Sequence, residues 1–212
     1  YDIASGKTKN LMPKEDISVS DMLWAPDGKY IYFTTAKEIY EVIYRVSTDG
    51  GKPEMIADKS YNAGLMISGD GTKLYFKRQK SSMPYELFGC DADGKNVKQV
   101  TNINTARLKD VDMNETETFW SKGADGKQVQ SILIKPPFFD KSKKYPMIFL
   151  IHGGPQGHWA DDFHYRWNIQ LFASDGYVVV APNPRGSTGY GQKFVDEISG
   201  DWGGKVYTDL MN

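Results

Sequence analysis

The first hundred residues alternate apolar and polar positions in short segments, and Asp-Gly pairs separate several of these segments. Alternation with a period of two is typical of β-strands that bury one face, and Asp-Gly supplies the positive φ that tight hairpin turns require. The pattern first predicts four strands: Met22–Trp24, Tyr30–Thr35, Ile39–Val46 and Glu54–Ala57. Because the segments between them are short, we expect these strands to form an antiparallel meander.

This pattern occurs twice. Trp24–Phe33 resembles Ile67–Phe76, and Asp49–Lys52 resembles Asp93–Lys95, with offsets in the range of about 40–45 residues that is typical of propeller blades. A closed propeller has about four to eight blades, so the repeat predicts a partial β-propeller of about two four-stranded blades. We expect the aromatic side chains of the repeat to pack between blades: Trp24, Tyr32, Phe33, Tyr75 and Phe76.

The chain changes character after a polar stretch at residues 101–114. A hairpin is predicted around Asp125 and Gly126, and strands then alternate with helices, which indicates a parallel sheet with helical crossovers. The predicted segments are a hairpin of Thr116–Lys122 and Lys127–Lys135, strands Pro146–Ile151 and Tyr177–Ala181, helices Tyr165–Ser174 and Gln192–Ile198, and a further helix beginning near Lys205. We therefore predict two domains, residues 1–110 and 111–212.

Composition and charge narrow the possible partners. The 212 residues include 26 Lys and Arg against 27 Asp and Glu, a net charge of −1, which gives no electrostatic reason to expect nucleic acid or an acidic membrane surface as a partner. The longest apolar runs are too short to cross a bilayer. Cys90 is the single cysteine, without a nearby histidine, and we expect it to be structural. Because Tyr1 and Asn212 both lie inside patterned segments, we expect a fragment, which leaves the compartment and any signal peptide undetermined.

Candidate chemistry lies directly after the predicted strand Pro146–Ile151, at His152-Gly153-Gly154-Pro155. The strand is a continuous apolar run, so we expect it to be covered on both faces. Two adjacent glycines let the backbone approach a ligand closely, and fixed N–H groups there could stabilise an oxyanion by roughly 3 kcal/mol per donor. The alternative interpretation is an ordinary strand-to-loop turn, since glycine and proline are common turn residues.

The order of these segments resembles the prolyl oligopeptidase family of serine peptidases, in particular its acylaminoacyl-peptidase and bacterial dipeptidyl-peptidase branches. The motifs that carry the resemblance are, after the blade repeats, KYPMIFLIHGGP, YVVVAPNPRGSTGYG and DWGGKVYTDLMN. The resemblance implies that a β-propeller covers an α/β-hydrolase domain with a Ser-Asp-His triad, which cleaves short peptides through an acyl-enzyme. Residues 1–110 would then be the last blades, and residues 111–212 the N-terminal portion of the hydrolase domain.

The resemblance assigns site residues only in part. The chain contains no G-x-S-x-G, so no catalytic serine, aspartate or histidine is assigned and the chain by itself is expected to be inactive. Gly154 N–H would be one oxyanion donor. His152 stands where other branches have a tyrosine, and we expect it to orient the turn or to pack. Arg185 is expected to fix its loop, with substrate binding as the alternative.

Two further hypotheses compete with the peptidase interpretation. The chain could be a propeller scaffold for binding that is joined to a catalytically dead α/β domain. His152, His158 and His164 could bind a metal, but their even spacing matches neither a helical face nor a known tight motif. We interpret Ser187 and Thr188 as turn residues. We expect a peptide substrate, no metal or other cofactor, and no nucleic-acid or membrane partner, and the oligomeric state stays open.

Overall fold

The computed structural model describes all 212 residues, Tyr1 to Asn212. Its N-terminal half forms one eight-stranded sheet in the order β1-β2-β3-β5-β6-β7-β8, and β4 pairs with β3 beside this path. The strands are β1 (Met22–Trp24), β2 (Tyr30–Lys37), β3 (Tyr40–Ser47), β4 (Glu54–Ala57), β5 (Tyr61–Ile67), β6 (Lys73–Lys80), β7 (Met83–Asp91) and β8 (Lys98–Gln99). All four strands predicted for the first repeat are present.

The eight-stranded sheet consists of two antiparallel meanders, β1–β4 and β5–β8. A single parallel bridge, between Glu41 and Tyr61, joins them. The repeated turns have the same backbone geometry, since Gly28 has φ 71° and its counterpart Gly71 has φ 72°. Glycine is favoured at both positions because L side chains rarely adopt this left-handed conformation.

The two meanders share one hydrophobic core, which includes Tyr32, Ile43, Phe76 and Cys90. Tyr32 also donates a hydrogen bond of 2.8 Å from its hydroxyl to Ala92 O of the second meander. Cys90 is buried, and burial raises the pKa of its thiol to about 11, so it stays protonated and unreactive at neutral pH.

The expectation for Trp24 is wrong, because its side chain is 60% exposed. Trp24 lies on β1, which pairs only with β2, and its outward-facing position alternates with the inward-facing Leu23. Tyr75 is only partly buried, whereas Phe33 and Phe76 are buried as expected.

The C-terminal half forms a four-stranded sheet in the order β11-β12-β10-β9, flanked by short helices. Only β11 and β12 are parallel, and the hairpin predicted around Asp125 adds two antiparallel strands. The elements are β9 (Glu117–Lys122), β10 (Gln128–Ile134), β11 (Met147–Phe149), β12 (Val178–Asn183), α1 (Thr105–Leu108), α2 (Ile169–Ser174), α3 (Gln192–Asp196) and α4 (Lys205–Met211). Helix α2 begins later than predicted because the Asn168 side chain accepts from Leu171 N and caps it there.

The strand that leads into HGGP is shorter than predicted, and it is not covered on both faces. Met147 is 59% exposed and Ile151 is 54% exposed. β11 is an edge strand that pairs only with β12, and no helix of this chain packs over its outward-facing side chains. The apolar run therefore reflects a surface that the 212 residues leave open.

The two sheets meet at the β2–β3 hairpin. Ile39, at its tip, is fully buried in the second hydrophobic cluster, beside Ile132 and Val179. Backbone bonds flank it, from Asp161 N to Ile39 O at 2.7 Å and from Glu38 N to Gly189 O at 2.9 Å. The longest helix, α4, has seven residues, so no helix of this structure could cross a membrane.

Candidate active site

The turn after β11 leaves backbone donors without an acceptor in the chain, among them Gly153 N–H and Gly154 N–H. Gly154 has φ +135°, and a Cβ built on it would lie 2.9 Å from Gln156 N, so a side chain at this position meets both backbone strain and a close contact. Gly154 is exposed, and its N–H donates to no acceptor within the chain. The turn thus presents an unpartnered N–H to the surface after the end of a strand, where it is free to donate to the oxygen of a bound group.

His152 contacts this turn through both ring nitrogens. Nδ1 lies 2.9 Å from Gly153 O, and Nε2 lies 2.9 Å from Ser187 Oγ. The indole of Trp159 meets the ring edge-on, with 6.4 Å between the centroids. Burial lowers the pKa of His152, although the Gly153 carbonyl opposes this shift, so the imidazole is neutral near pH 7.

The end of β12 and the loop that follows it, residues 183–191, hold the turn from the other side. Asn183 brackets Trp159, accepting from its N–H at 2.7 Å and donating to its carbonyl at 2.9 Å. Thr188 N donates to Gly157 O at 3.0 Å, and Thr188 Oγ1 lies 2.7 Å from His158 Nδ1. Ser187 and Thr188, interpreted from the sequence as turn residues, are the side-chain partners of two histidines.

Arg185 lies in the same loop, and its side chain is 2% exposed. Its Nε and Nη2 donate to the carboxylate of Asp209 on α4, at 2.7 and 2.9 Å, and Nη2 also donates to Ala124 O at 2.9 Å. Asp209 accepts further from the backbone N–H groups of Ala124 and Arg185. The guanidinium is therefore paired with Asp209 and not with a ligand. Through these bonds Arg185 holds α4 and the β9–β10 turn against its own loop.

An open cavity of about 310 Å³ lies beside the turn. Its lining includes His152 and Gly154 on one side and the apolar Trp202, Val206 and Leu210 on the other. A group that enters this cavity would contact both the HGGP turn and the apolar side chains of α4.

The three histidines do not form a metal site. His152 and His158 contact separate hydroxyls, and His164 Nδ1 accepts from the N–H groups of Arg166 and Trp167 at 3.2 and 3.0 Å. The structure contains no group of three or more His, Cys, Asp or Glu residues that could hold a metal ion.

Comparison with known proteins shows which family the chain resembles. Residues 163–212 match the model of the prolyl oligopeptidase family. The probable dipeptidyl-peptidase 5 of Trichophyton verrucosum is 37% identical over 201 residues, which are 92% of this chain and 27% of that protein. The dipeptidyl-peptidase 5 of Porphyromonas gingivalis is 35% identical over 211 residues, which are 99% of this chain and 31% of that protein.

Solved structures agree with these relatives. Pyrococcus horikoshii acylaminoacyl peptidase superposes with a TM-score of 0.83 at 28% identity, over 98% of this chain and 31% of that one. An acylaminoacyl peptidase in complex with Z-Gly-Gly-Phe-chloromethyl ketone gives a TM-score of 0.84 at 28% identity, over 98% of this chain and 32% of that one. The match of residues 163–212 to the family model, together with similarity to these relatives along nearly the whole chain, confirms the resemblance to the prolyl oligopeptidase family seen in the motifs. It spans about a third or less of the length of these relatives.

Proposed function

We propose that these residues work within a serine peptidase that cleaves short peptides through an acyl-enzyme. The observation that carries this proposal is the exposed, unpartnered N–H of Gly154 in a turn fixed from two sides. In acyl transfer the attacked carbonyl oxygen becomes negatively charged, and preorganised N–H donors stabilise that charge. The names of the relatives, all peptidases, support the same chemistry.

The domain assignment is part of the proposal. Residues 1–110 would be propeller blades, because β1–β4 and β5–β8 repeat the same meander and the same turn glycines. Residues 111–212 would be the first portion of an α/β-hydrolase domain, because a parallel β11–α2–β12 unit carries the candidate site at the carboxyl ends of its strands. In this arrangement the Ile39 hairpin joins blade and hydrolase.

The remaining catalytic groups would come from residues outside this chain, because it contains no nucleophile elbow. The second oxyanion donor is expected from the N–H that follows the serine in that elbow. Gly154 would then supply one of two donors, and loss of one donor typically costs about 2.7–4 kcal/mol of transition-state stabilisation.

The proposal is tested in the full-length protein that contains these residues. Gly154→Ala keeps the N–H but strains the turn, so we expect kcat to fall about 100-fold or more. Gly157→Ala is the matched control from the same turn, since its φ is ordinary and its Cβ would lie 3.6 Å from Gly153 O, a normal contact. We expect Gly157→Ala to stay within about twofold of the wild type.

Hydrolysis is measured with a dipeptidyl amide that has a free amino terminus and with an N-acylaminoacyl amide, and active-site labelling with a fluorophosphonate. Turnover of either substrate together with labelling supports the peptidase, and the preferred substrate defines its specificity. Absence of both turnover and labelling in the folded wild-type protein would favour the non-catalytic binding scaffold. If Gly154→Ala were as active as Gly157→Ala and the wild type, Gly154 would have no role in the reaction.

A further inference from the structure

The hydrogen-bond ladder between β11 and β12 lacks a donor at its last position before the HGGP turn. Val178 N donates to Pro146 O at 3.0 Å, and Leu150 N donates to Val180 O at 2.8 Å. Bonds in a parallel ladder are evenly spaced, so the next one would run from the N–H of residue 182 to Leu150 O. That residue is Pro182, which has no N–H. Leu150 O therefore receives no hydrogen bond from β12.

The indole of Trp159 supplies the missing donor. Trp159 Nε1 donates to Leu150 O at 2.8 Å, and no other N–H of the chain bonds this carbonyl. An indole N–H can only donate and a carbonyl oxygen can only accept, so the bond has one possible direction. The side chain of Trp159 thus completes the ladder at the point where Pro182 interrupts it.

The backbone of Trp159 is held independently of the turn. Asn183 is fully buried, accepts from Trp159 N at 2.7 Å and donates to Trp159 O at 2.9 Å, which fixes the orientation of its amide. The second hydrogen on Asn183 Nδ2 goes to the Tyr190 hydroxyl oxygen at 3.0 Å. The Tyr190 hydroxyl in turn donates to Gln130 Oε1 at 2.8 Å. Each hydrogen in this network has its own acceptor, so the second sheet holds Trp159 in place.

The indole contacts the chain at two points around the entry to the turn. Leu150 is the last residue that bonds β12, and His152 follows two residues later. The His152 ring meets the indole edge-on, with 6.4 Å between the centroids, and its Nδ1 lies 2.9 Å from Gly153 O. Aromatic rings at this distance and angle attract each other. Through these two contacts the indole fixes the direction in which the chain enters the turn that carries Gly154.

We infer that Trp159 is a positioning residue for the oxyanion donor. Its indole N–H replaces the N–H that Pro182 lacks, keeps the end of β11 paired with β12 and so holds the turn that presents Gly154 N–H. This inference rests on the proposed function of Gly154, but the pairing of β11 can be measured without any activity. Leu150 N–H donates to Val180 O, so its hydrogen exchange reports whether the end of the strand stays paired.

Two substitutions test this bond against each other. Trp159→Phe keeps an aromatic ring but removes the N–H, so Leu150 O loses its donor. Pro182→Ala restores a backbone N–H at the position from which the ladder would bond Leu150 O, so in the double variant it should replace the indole. Trp24→Phe is the control for the loss of an indole, because the exposed side chain of Trp24 lies on β1 in the other sheet.

The experiment uses the full-length protein and compares four variants with the wild type. We expect Trp159→Phe to lower kcat about tenfold with little change in KM, which corresponds to about 1.4 kcal/mol in the transition state. The same variant should exchange Leu150 N–H faster. Adding Pro182→Ala to Trp159→Phe should restore most of the lost kcat and the slow exchange, whereas Pro182→Ala alone and Trp24→Phe should resemble the wild type.

A role in stability alone would lower the melting temperature of Trp159→Phe without lowering kcat at a temperature where the protein is folded. An active wild type whose Trp159→Phe variant keeps its kcat would therefore overturn the inference and leave the proposed function intact. A loss of kcat that Pro182→Ala does not restore would also overturn it, because the indole would then act without the bond to Leu150 O. An inactive wild type would reject the proposed function, and unchanged exchange of Leu150 N–H in Trp159→Phe would reject the inference by itself.

Discussion

Replacing Ile39 with alanine tests the packing contact between the β2–β3 hairpin and the second sheet. Ile39 belongs to the hairpin of the first sheet, yet its side chain is fully buried among the aliphatic residues of the second. Strand hydrogen bonds hold its neighbours Ile132 and Val179 in place, so the site cannot collapse fully around a smaller side chain. Truncation of a buried isoleucine to alanine costs about 2–5 kcal/mol, and full burial favours the upper half of that range. Ile39→Val should cost only about 0.5–1.5 kcal/mol.

The assay combines denaturant unfolding of the full-length protein with hydrogen exchange read by mass spectrometry. Ile39→Ala should accelerate exchange in peptides that cover β10 and β12, although the mutated residue lies far from them in sequence. Ile43→Ala is the matched control, because Ile43 is equally buried but lies in the core of the first sheet. Its substitution should accelerate hydrogen exchange in the first sheet only. Ile103→Ala, at 67% exposure, should change stability by less than about 0.5 kcal/mol.

Two results would refute this account of the packing contact. The first is a loss of stability in Ile39→Ala no greater than that in Ile103→Ala. The second is accelerated exchange that remains within β2 and β3, because the tip would then contribute nothing to the packing of the second sheet.

Two further predictions concern buried charge. In a double-mutant cycle, Arg185→Met and Asp209→Leu should each lower the free energy of unfolding by about 3–5 kcal/mol, because each change leaves a buried charge unpaired. The double variant should lose much less than the sum of the two. Additive losses would contradict the pairing. Burial raises the pKa of Asp162 to about 6, so its ionisation opposes folding as pH rises through the range of about 4 to 6. Asp162→Asn should therefore gain roughly 1–2 kcal/mol at pH 8, allowing for partial exposure, and nothing below pH 4; a gain independent of pH would contradict it.

Local pattern was sufficient to predict the strands of the first meander. Alternating side chains and turn glycines such as Gly28 and Gly71 specify strands and hairpins within a few residues, so β1–β4 follow from the sequence. The burial of individual side chains could not be predicted in the same way, as Trp24 shows. A period of two identifies the two faces of a strand but does not show which face packs against a neighbour. Met147 and Ile151 are a similar case, since their apolar character does not reveal that β11 is an edge strand.

The candidate site, too, could be predicted only in part from the sequence. HGGP by itself indicates an approachable backbone but is equally compatible with an ordinary turn, and Gly154 was assigned only through the resemblance to the family. The contact between His152 and Ser187 joins residues from two separate loops, and no periodicity connects them. Asp209 likewise reaches Arg185 only after α4 packs on its loop. A hydroxyl next to the NPRG turn was the one available signal for Ser187, and it is equally typical of an ordinary turn.

The central claim is that Gly154 N–H donates a hydrogen bond to the oxyanion. A crystal structure of the full-length protein after reaction with a fluorophosphonate tests this claim most directly. The phosphonyl group bound to the serine mimics the tetrahedral intermediate. The account predicts a phosphonyl oxygen about 2.7–3.1 Å from Gly154 N. A phosphonyl oxygen directed away from Gly154, with no hydrogen bond to its N–H, would contradict the account.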